Sequence, residues 1–328
     1  MAASVSVVVC AYTEHRWQNL LDCIASLRRQ TAPPHEVILV IDHNPELLRR
    51  VRATLPDVIA LPNEQPRGLS GCRNTGWLAA HSDVVAFLDD DAEAASDWLD
   101  RLVTAYQRAD VVGVGGDVQP RWLAGRPPWF PAEFDWVVGC SYTGLPREKA
   151  PVRNLIGCNM SFRRSVLAEL AGFRIGIGRI EDRPLGCEET EFCIRVQQRR
   201  LGEVLLYIPD ARVYHTVPPH RGQWSYFLSR CYAEGISKAD VTDSVGAGRL
   251  GVELGYSLRV LPAGLWRGLV GSTAKDGGGG LARAGAIVAG FALTACGYLF
   301  GRISASPPIQ RLRAVFSKPH QEKTIGPP

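Results

Sequence analysis

Apolar positions fall into short continuous runs separated by stretches of helical spacing. Ser4 to Cys10 (SVSVVVC), Val37 to Ile41 and Val84 to Leu88 are rich in β-branched residues, as strands buried on both faces are. Between the first two runs, Trp17, Leu20, Leu21, Ile24 and Leu27 recur at the period of an amphipathic helix. The same reading predicts helices around Glu46–Thr54, Leu69–Ala80 and Trp98–Gln107, and strands near Val58–Leu61 and Val111–Val114. Strands alternating with helices in this way predict an α/β fold: a parallel sheet with helices on both faces.

From Pro120 to Arg153 the periodicity stops. This stretch holds Trp122, Trp129, Phe130, Phe134, Trp136 and Tyr142 among prolines and glycines. It is expected to be a long loop, serving either as a flap over the sheet or as a wall for an acceptor, since aromatic rings stack on sugars and acyl chains. Regular patterning resumes with a helix over Gly186–Leu201, strands at Val204–Ile208 and Arg212–His215, and a helix over Trp224–Ala239. Gln197 to Leu201 reads as an exposed helix face.

The last third is different again. Ala284 to Gly301 carries no charge and lies between Arg283 and Arg302, near the lower limit of the ~20 residues that span ~30 Å of hydrocarbon. Leu254 to Val270 is apolar but interrupted by Arg259, Pro262 and Arg267, and Gly277–Gly280 would be a flexible joint between the two segments. Arg249 and Arg259 stand before this region, and Arg302, Arg311, Arg313 and Lys318 after it. With both flanks basic, a hairpin or shallow re-entrant segment fits better than one clean span; a buried pair of soluble helices is the other reading. Ser304 to Pro328 is expected to be a disordered tail.

Composition narrows the class. The 328 residues, 46% apolar and 21% charged, describe a globular chain of one or two domains. A net charge of +4 is too small to argue for nucleic acid. Nine scattered cysteines without a C-x-x-C pair argue against a disulfide framework or zinc site, and for a reducing cytosol. Met1 to Tyr12 lacks the pattern of a secretory leader. Cys10-Ala11-Tyr12-Thr13-Glu14 stands where a dinucleotide-binding enzyme would carry G-x-G-x-x-G.

Candidate chemistry starts with Asp89-Asp90-Asp91, directly behind the run ending at Leu88. Carboxylates at the carboxyl edge of a sheet lie where open α/β folds bind ligands. Crowded like charges need an offset, and Mg²⁺ or Mn²⁺ bridging to a substrate phosphate would supply it. An acidic turn that caps the next helix is the alternative.

The aspartates stand in an ordered series of motifs. Ser4 to Tyr12, Val37 to Asp42, Gly68-Leu69-Ser70-Gly71-Cys72-Arg73-Asn74-Thr75-Gly76, Asp89 to Asp91, Gly157 to Arg164, Gly186-Cys187-Glu188-Glu189-Thr190-Glu191 and Val213-Tyr214-His215 follow in turn. Over roughly residues 4–240 the chain resembles a family 2 glycosyltransferase of GT-A fold. The resemblance implies an inverting, metal-dependent transfer of a sugar from a nucleotide-diphosphate donor, a UDP-sugar being favoured, to an acceptor hydroxyl.

By resemblance Asp91 and Asp89 would hold the metal, joined by His215, with Asp90 beside them at the donor. Ala11, Tyr12 and Glu14 would line the nucleoside pocket, Asp42 would read base or ribose, and Arg73 would lie near the diphosphate. Glu189, paired with Glu188, would be the catalytic base, although related chains more often carry aspartate there. Arg221 would neutralise the leaving group, and Asn159 would touch a sugar. The segment Trp122 to Arg164 is similar to transferases that extend polyprenyl-linked sugars, including glucuronosyl transferases. This implies a lipid-linked or glycan acceptor at the cytoplasmic face of the cell membrane and a role in envelope glycan assembly. The implied organisation is a catalytic domain over 1–240, with a nucleotide half (1–118) and an acceptor half (119–240), a membrane-associated helical segment over 241–303 and a tail over 304–328. A non-catalytic nucleotide-sugar-binding subunit and a nucleotidyltransferase are the rival readings.

Overall fold

The four N-terminal strands β1 (Val5–Ala11), β2 (Glu36–Ile41), β3 (Ile59–Pro62) and β4 (Val84–Asp89) alternate with helices α1 (Trp17–Arg28), α2 (Pro45–Thr54) and α3 (Leu69–Ala79). This is a computed structural model, and it describes residues 3–179, 185–246, 251–270 and 279–304. The four strands pair in parallel in the order β3-β2-β1-β4. Side-chain alternation divides them between two layers. Val7, Val9, Leu39, Ile41, Ala86 and Leu88 join the core on one face, beneath α1 and α2. Val8, Ile38, Val40, Val85 and Phe87 join the core on the other, beneath α3.

The second half adds β5 (Ala92–Ala94), α4 (Trp98–Ala105), β6 (Val111–Trp122), β7 (Ala150–Pro151), β8 (Asn159–Arg163), α5 (Arg164–Glu169), α6 (Glu188–Arg199) and β9 (Val204–Val217). Here the expectation of a wholly parallel sheet is corrected. β8 enters antiparallel between β4 and β6, and β5 pairs antiparallel with β9, while β6 and β9 are parallel. β8 is reached through the aromatic segment and not through a crossover helix, so no βαβ geometry imposes a parallel direction. The two strands expected at Val204–Ile208 and Arg212–His215 are one strand. Its register against β6 shifts between Gly116 and Val118, where Pro209, lacking an N–H, belongs to the bulge.

The aromatic segment is more ordered than a loop. It contains a 3₁₀ helix at Ala132–Val138. Phe130 and Phe134 are buried in a third core with Phe227, and Trp129 stacks on Trp224 at a centroid distance of 4.1 Å. Two of the six rings are therefore core and Trp122, Trp129 and Trp136 pack against it, while Phe134, Trp136 and Tyr142 also line a cavity.

The chain continues with α7 (Trp224–Val245), α8 (Gly251–Gly255), a π-helical turn (Tyr256–Val260), α9 (Leu261–Val270) and α10 (Gly279–Ser304). α7 runs past residue 240. α9 packs on α10, where Gly268 faces Ala284 and Gly280, and α10 packs on α7, where Gly297 faces Tyr232. Gly277 and Gly278 of the expected joint, and the tail beyond Ser304, lie outside the described residues, whereas Gly279 and Gly280 are helical and open α10.

Candidate active site

Parallel strands bring their carboxyl ends to one edge, and β1, β2 and β4 deliver Ala11, Asp42 and Asp89 there. A cavity of about 510 Å³ opens at this edge and extends to α7 and α10. Ala11, Tyr12, Asp42, Arg73, Asp89, Asp90, Glu188, Glu189, His215 and Arg221 all line it.

The three aspartates point to three different partners. Asp89, about a third exposed, faces the cavity with Arg73 Nη2 3.5 Å away. Asp90 is buried and accepts a 2.8 Å bond from Arg16 Nη1. Asp91 is buried, with His215 Nε2 at 3.0 Å, Arg16 Nη1 at 3.2 Å and Arg221 Nη2 at 3.6 Å. Burial pushes the Asp90 carboxyl up to about 7 against the pull of Arg16. Burial opposes ionisation of Asp91 too, but His215, Arg16 and Arg221 outweigh it and hold the group well below the usual carboxylate range. Asp91 is thus a fixed anion.

Asp89, Asp91 and His215 offer ligand atoms that all lie within 4.8 Å of one another. His215 comes from β9, whose pairing with β5 sets it opposite Ala92, and the Thr216 amide donates to the Asp91 carbonyl at 2.9 Å. Two carboxylates and one imidazole suit Mn²⁺ or Mg²⁺.

Asp42 is oriented by the turn into α3. Its two oxygens accept from Asn63 Nδ2 at 2.7 Å and from the Gly68 amide at 2.9 Å. Gly68 has φ of 123°, a conformation that favours glycine. Glu14 does not line the cavity. It begins a 3₁₀ turn, and one of its oxygens is buried without a hydrogen-bond partner among the described residues.

Glu188 and Glu189 open α6, at a helix end that favours negative charge, but they differ in role. Glu188 is buried and accepts a 2.6 Å bond from Arg73 Nη1, while Arg73 Nη2 donates to the Gly157 carbonyl at 3.0 Å. Glu189 is partly exposed to the cavity and has no cationic partner within ion-pair distance among the described residues. Burial, then the neighbouring Glu188, pushes its carboxyl up to about 8. A carboxylate with a raised proton affinity suits a general base working near neutral pH.

Asn159 is the correction. It is fully buried, donates to the carbonyls of Asp117 and Ala211 at 3.0 and 2.8 Å, and accepts from Trp98 Nε1 at 2.8 Å. It ties β8 to β6 and β9 and leaves no polar atom for a sugar. Two features went unread in the sequence. Arg16, which bridges Asp90 and Asp91, looks like an ordinary helix-start cation. At the far end of the cavity, Lys238 Nζ lies 3.1 Å from Glu253 and 3.6 Å from Glu234, and Arg153 also pairs with Glu253. Burial would raise Glu253, yet Lys238 and Arg153 hold it at about 2. No spacing signal joins residues so distant in the chain.

The sequence pattern of "Glycosyl transferase family 2" matches residues 6–171. A glucosyl-dolichyl phosphate glucuronosyltransferase of Haloferax volcanii is 38% identical over 238 residues, covering 71% of this chain and 76% of that protein. The succinoglycan biosynthesis protein ExoM of Rhizobium meliloti is 26% identical over 265 residues, covering 78% of this chain and 77% of its own. Among solved structures, the mannosyltransferase PcManGT from Pyrobaculum calidifontis, in complex with GDP-Man and Mn²⁺, superposes with a TM-score of 0.54 over 96% of this chain and 80% of that one. At 18% identity that likeness speaks for the fold alone.

Proposed function

This chain belongs to glycosyl transferase family 2 and is a glycosyltransferase, and on that premise we propose that it is an inverting, metal-dependent enzyme acting on a lipid-linked sugar. The donor is a nucleotide-diphosphate sugar, with a UDP-sugar favoured and glucuronate the first sugar to try, given the Haloferax relative. The acceptor is a sugar carried on a polyprenyl or dolichyl phosphate at the cytoplasmic face of the membrane. Residues 1–240 form the catalytic domain in this reading, with the nucleoside in the half over 1–118 and His215 and Arg221 reaching the diphosphate from the second half.

One observation carries the reading: Asp89 and His215, whose ligand atoms cluster with those of the buried Asp91, line the same cavity as Glu189. Asp89, Asp91 and His215 would hold a divalent cation, which would supply counter-charge to a departing diphosphate. Arg221 adds a fixed positive charge on that side. Asp42 orients the nucleoside through its two anchored oxygens. Glu189 takes the proton of the attacking acceptor hydroxyl, so the new glycosidic bond forms as the bond from the anomeric carbon to the donor phosphate oxygen breaks. Glu188, already paired with Arg73, positions the start of α6.

The test is turnover of UDP-glucuronate with a glucosylated polyprenyl phosphate and Mn²⁺, scored as release of UDP and elongation of the lipid-linked sugar. Glu189→Gln should keep donor affinity and lose turnover. Undiminished turnover by that variant would remove Glu189 as the base, and donor binding with no transfer by the parent protein would favour a non-catalytic binding subunit. Release of pyrophosphate would indicate a nucleotidyltransferase.

A further inference from the structure

α10 has 26 residues and mean hydropathy 1.7 over its apolar window. At 1.5 Å per residue it is about 39 Å long, enough to cross ~30 Å of hydrocarbon. Its seating argues otherwise. α10 runs parallel to α7: Gly290 lies against Phe227, Gly297 against Tyr232 and Gly301 against Ala239. A Cβ on Gly297 would stand 2.1 Å from the Tyr232 carbonyl oxygen, and one on Gly235 would stand 2.1 Å from the Thr294 carbonyl oxygen, so no lipid fits between the helices. Both ends are tied down, with Arg283 donating to the Pro128 carbonyl near one end and Arg302 paired with Asp243 of α7 at the other.

α7 cannot follow its neighbour into hydrocarbon. Along the shared length Arg230, Glu234 and Lys238 line the cavity, while Asp240 and Asp243 are exposed and would have to leave water. The opposite face of α10 has a different character. Leu281, Val288, Leu299 and Phe300 are exposed there, as are Leu258 and Trp266 on the preceding turns. Within residues 251–270 and 279–304 stand four arginines, Arg259, Arg267, Arg283 and Arg302, against one carboxylate, Glu253; Arg267 and Arg302 pair with Glu133 and Asp243 of neighbouring elements yet keep about half of their side chains exposed.

We propose that α10 lies in the plane of an anionic leaflet, its exposed apolar face sunk to the acyl boundary and its arginines among the headgroups, without crossing the bilayer. Phe291 and Tyr298 of α10 also line the cavity, and Phe291 is 48% exposed. The cavity wall is therefore continuous with the lipid-facing surface. Resting on the acceptor proposed above, this geometry lets a lipid-linked sugar enter sideways while its hydrocarbon stays in the leaflet.

The experiment uses full-length protein in which Cys296, exposed on α10, is replaced by serine. A fluorophore is attached in turn through Leu281→Cys, Val288→Cys and Leu299→Cys, and the protein is bound to phosphatidylglycerol–phosphatidylcholine vesicles carrying depth-graded quenchers. Equal, shallow depths at all three positions are expected. A profile with Val288 about 10 Å deeper than Leu281, the separation a crossing helix imposes, would overturn the proposal, as would the absence of quenching at every position. Depth is read without turnover, so a flat helix on a protein inactive towards lipid-linked sugars would sink the acceptor assignment and leave the geometry standing.

Discussion

Arg73 Nη1 meets Glu188 Oε1 at 2.6 Å, with both side chains at most 5% exposed. This pair joins α3, which follows the donor-side turn, to α6, which carries Glu189. Replacing Arg73 by methionine strands Glu188 as a buried charge, and breaking such a pair costs roughly 3–5 kcal/mol. Equilibrium urea unfolding should show that loss. Arg73→Lys should recover part of it, because one ammonium nitrogen cannot reproduce contacts that Arg73 makes through two separate nitrogens to Glu188 and to Gly157.

The pH dependence follows from Glu189. With its carboxyl at about 8 in the folded protein, kcat/KM should climb from pH 6 and level off above about 8, and Glu189→Gln should leave a flat, low profile. The stability term has the opposite slope. The folded state holds this proton more tightly than the unfolded chain, whose ordinary value is 4.5. That contribution is complete below 4.5 and lost as pH rises through about 8. Thermal melts from pH 5 to 9 should therefore fall less steeply for Glu189→Gln than for the parent.

Removal of the cation should silence the enzyme. EDTA treatment is expected to abolish transfer, and Mn²⁺ to restore it. Asp91→Asn should lose on the order of a thousandfold in kcat/KM, the equivalent of several kcal/mol of charge stabilisation. His215→Ala, which keeps both carboxylates, should fall less far. Manganese titration followed by calorimetry separates a lost site from a lost fold, and undiminished turnover in EDTA would exclude the cation.

Two glycines predict opposite outcomes for one substitution. Gly235→Ala drives a methyl group to 2.1 Å from the Thr294 carbonyl oxygen, and overpacking of this kind costs about 1–3 kcal/mol. Gly285→Ala, with nothing within 4 Å of the new carbon, should stabilise α10 by about 0.5–1 kcal/mol. Differential scanning calorimetry should move the two melting temperatures apart, and the Gly235 variant should lose lipid-linked turnover while retaining donor affinity.

Sequence reading reached the parts governed by local pattern. The runs at Val5–Ala11 and Val84–Asp89 are legible because a strand buried on both faces needs a near-continuous apolar run, and the acid cluster is legible because it follows such a run. Asn159 was misread because its amide is consumed by Trp98, Asp117 and Ala211, partners that no local window includes. Arg16 was passed over for the same reason, since its carboxylates lie 74 and 75 positions on. The antiparallel entry of β8 depends on the route of the aromatic segment, and that route is set by burial of Phe130 and Phe134 against Phe227.

The division of the cavity has a consequence for synthesis. Every proposed donor-side residue, from Ala11 to Arg221, precedes α7, whereas Phe291, Thr294 and Tyr298 of α10 form one side of the opposite end. A nascent chain released ahead of Gly279 would present a finished nucleotide cradle beside an acceptor chamber lacking a flank. Ribosomal emergence of α10, and its closure on the glycine seam of α7, is then the event that makes the chamber whole.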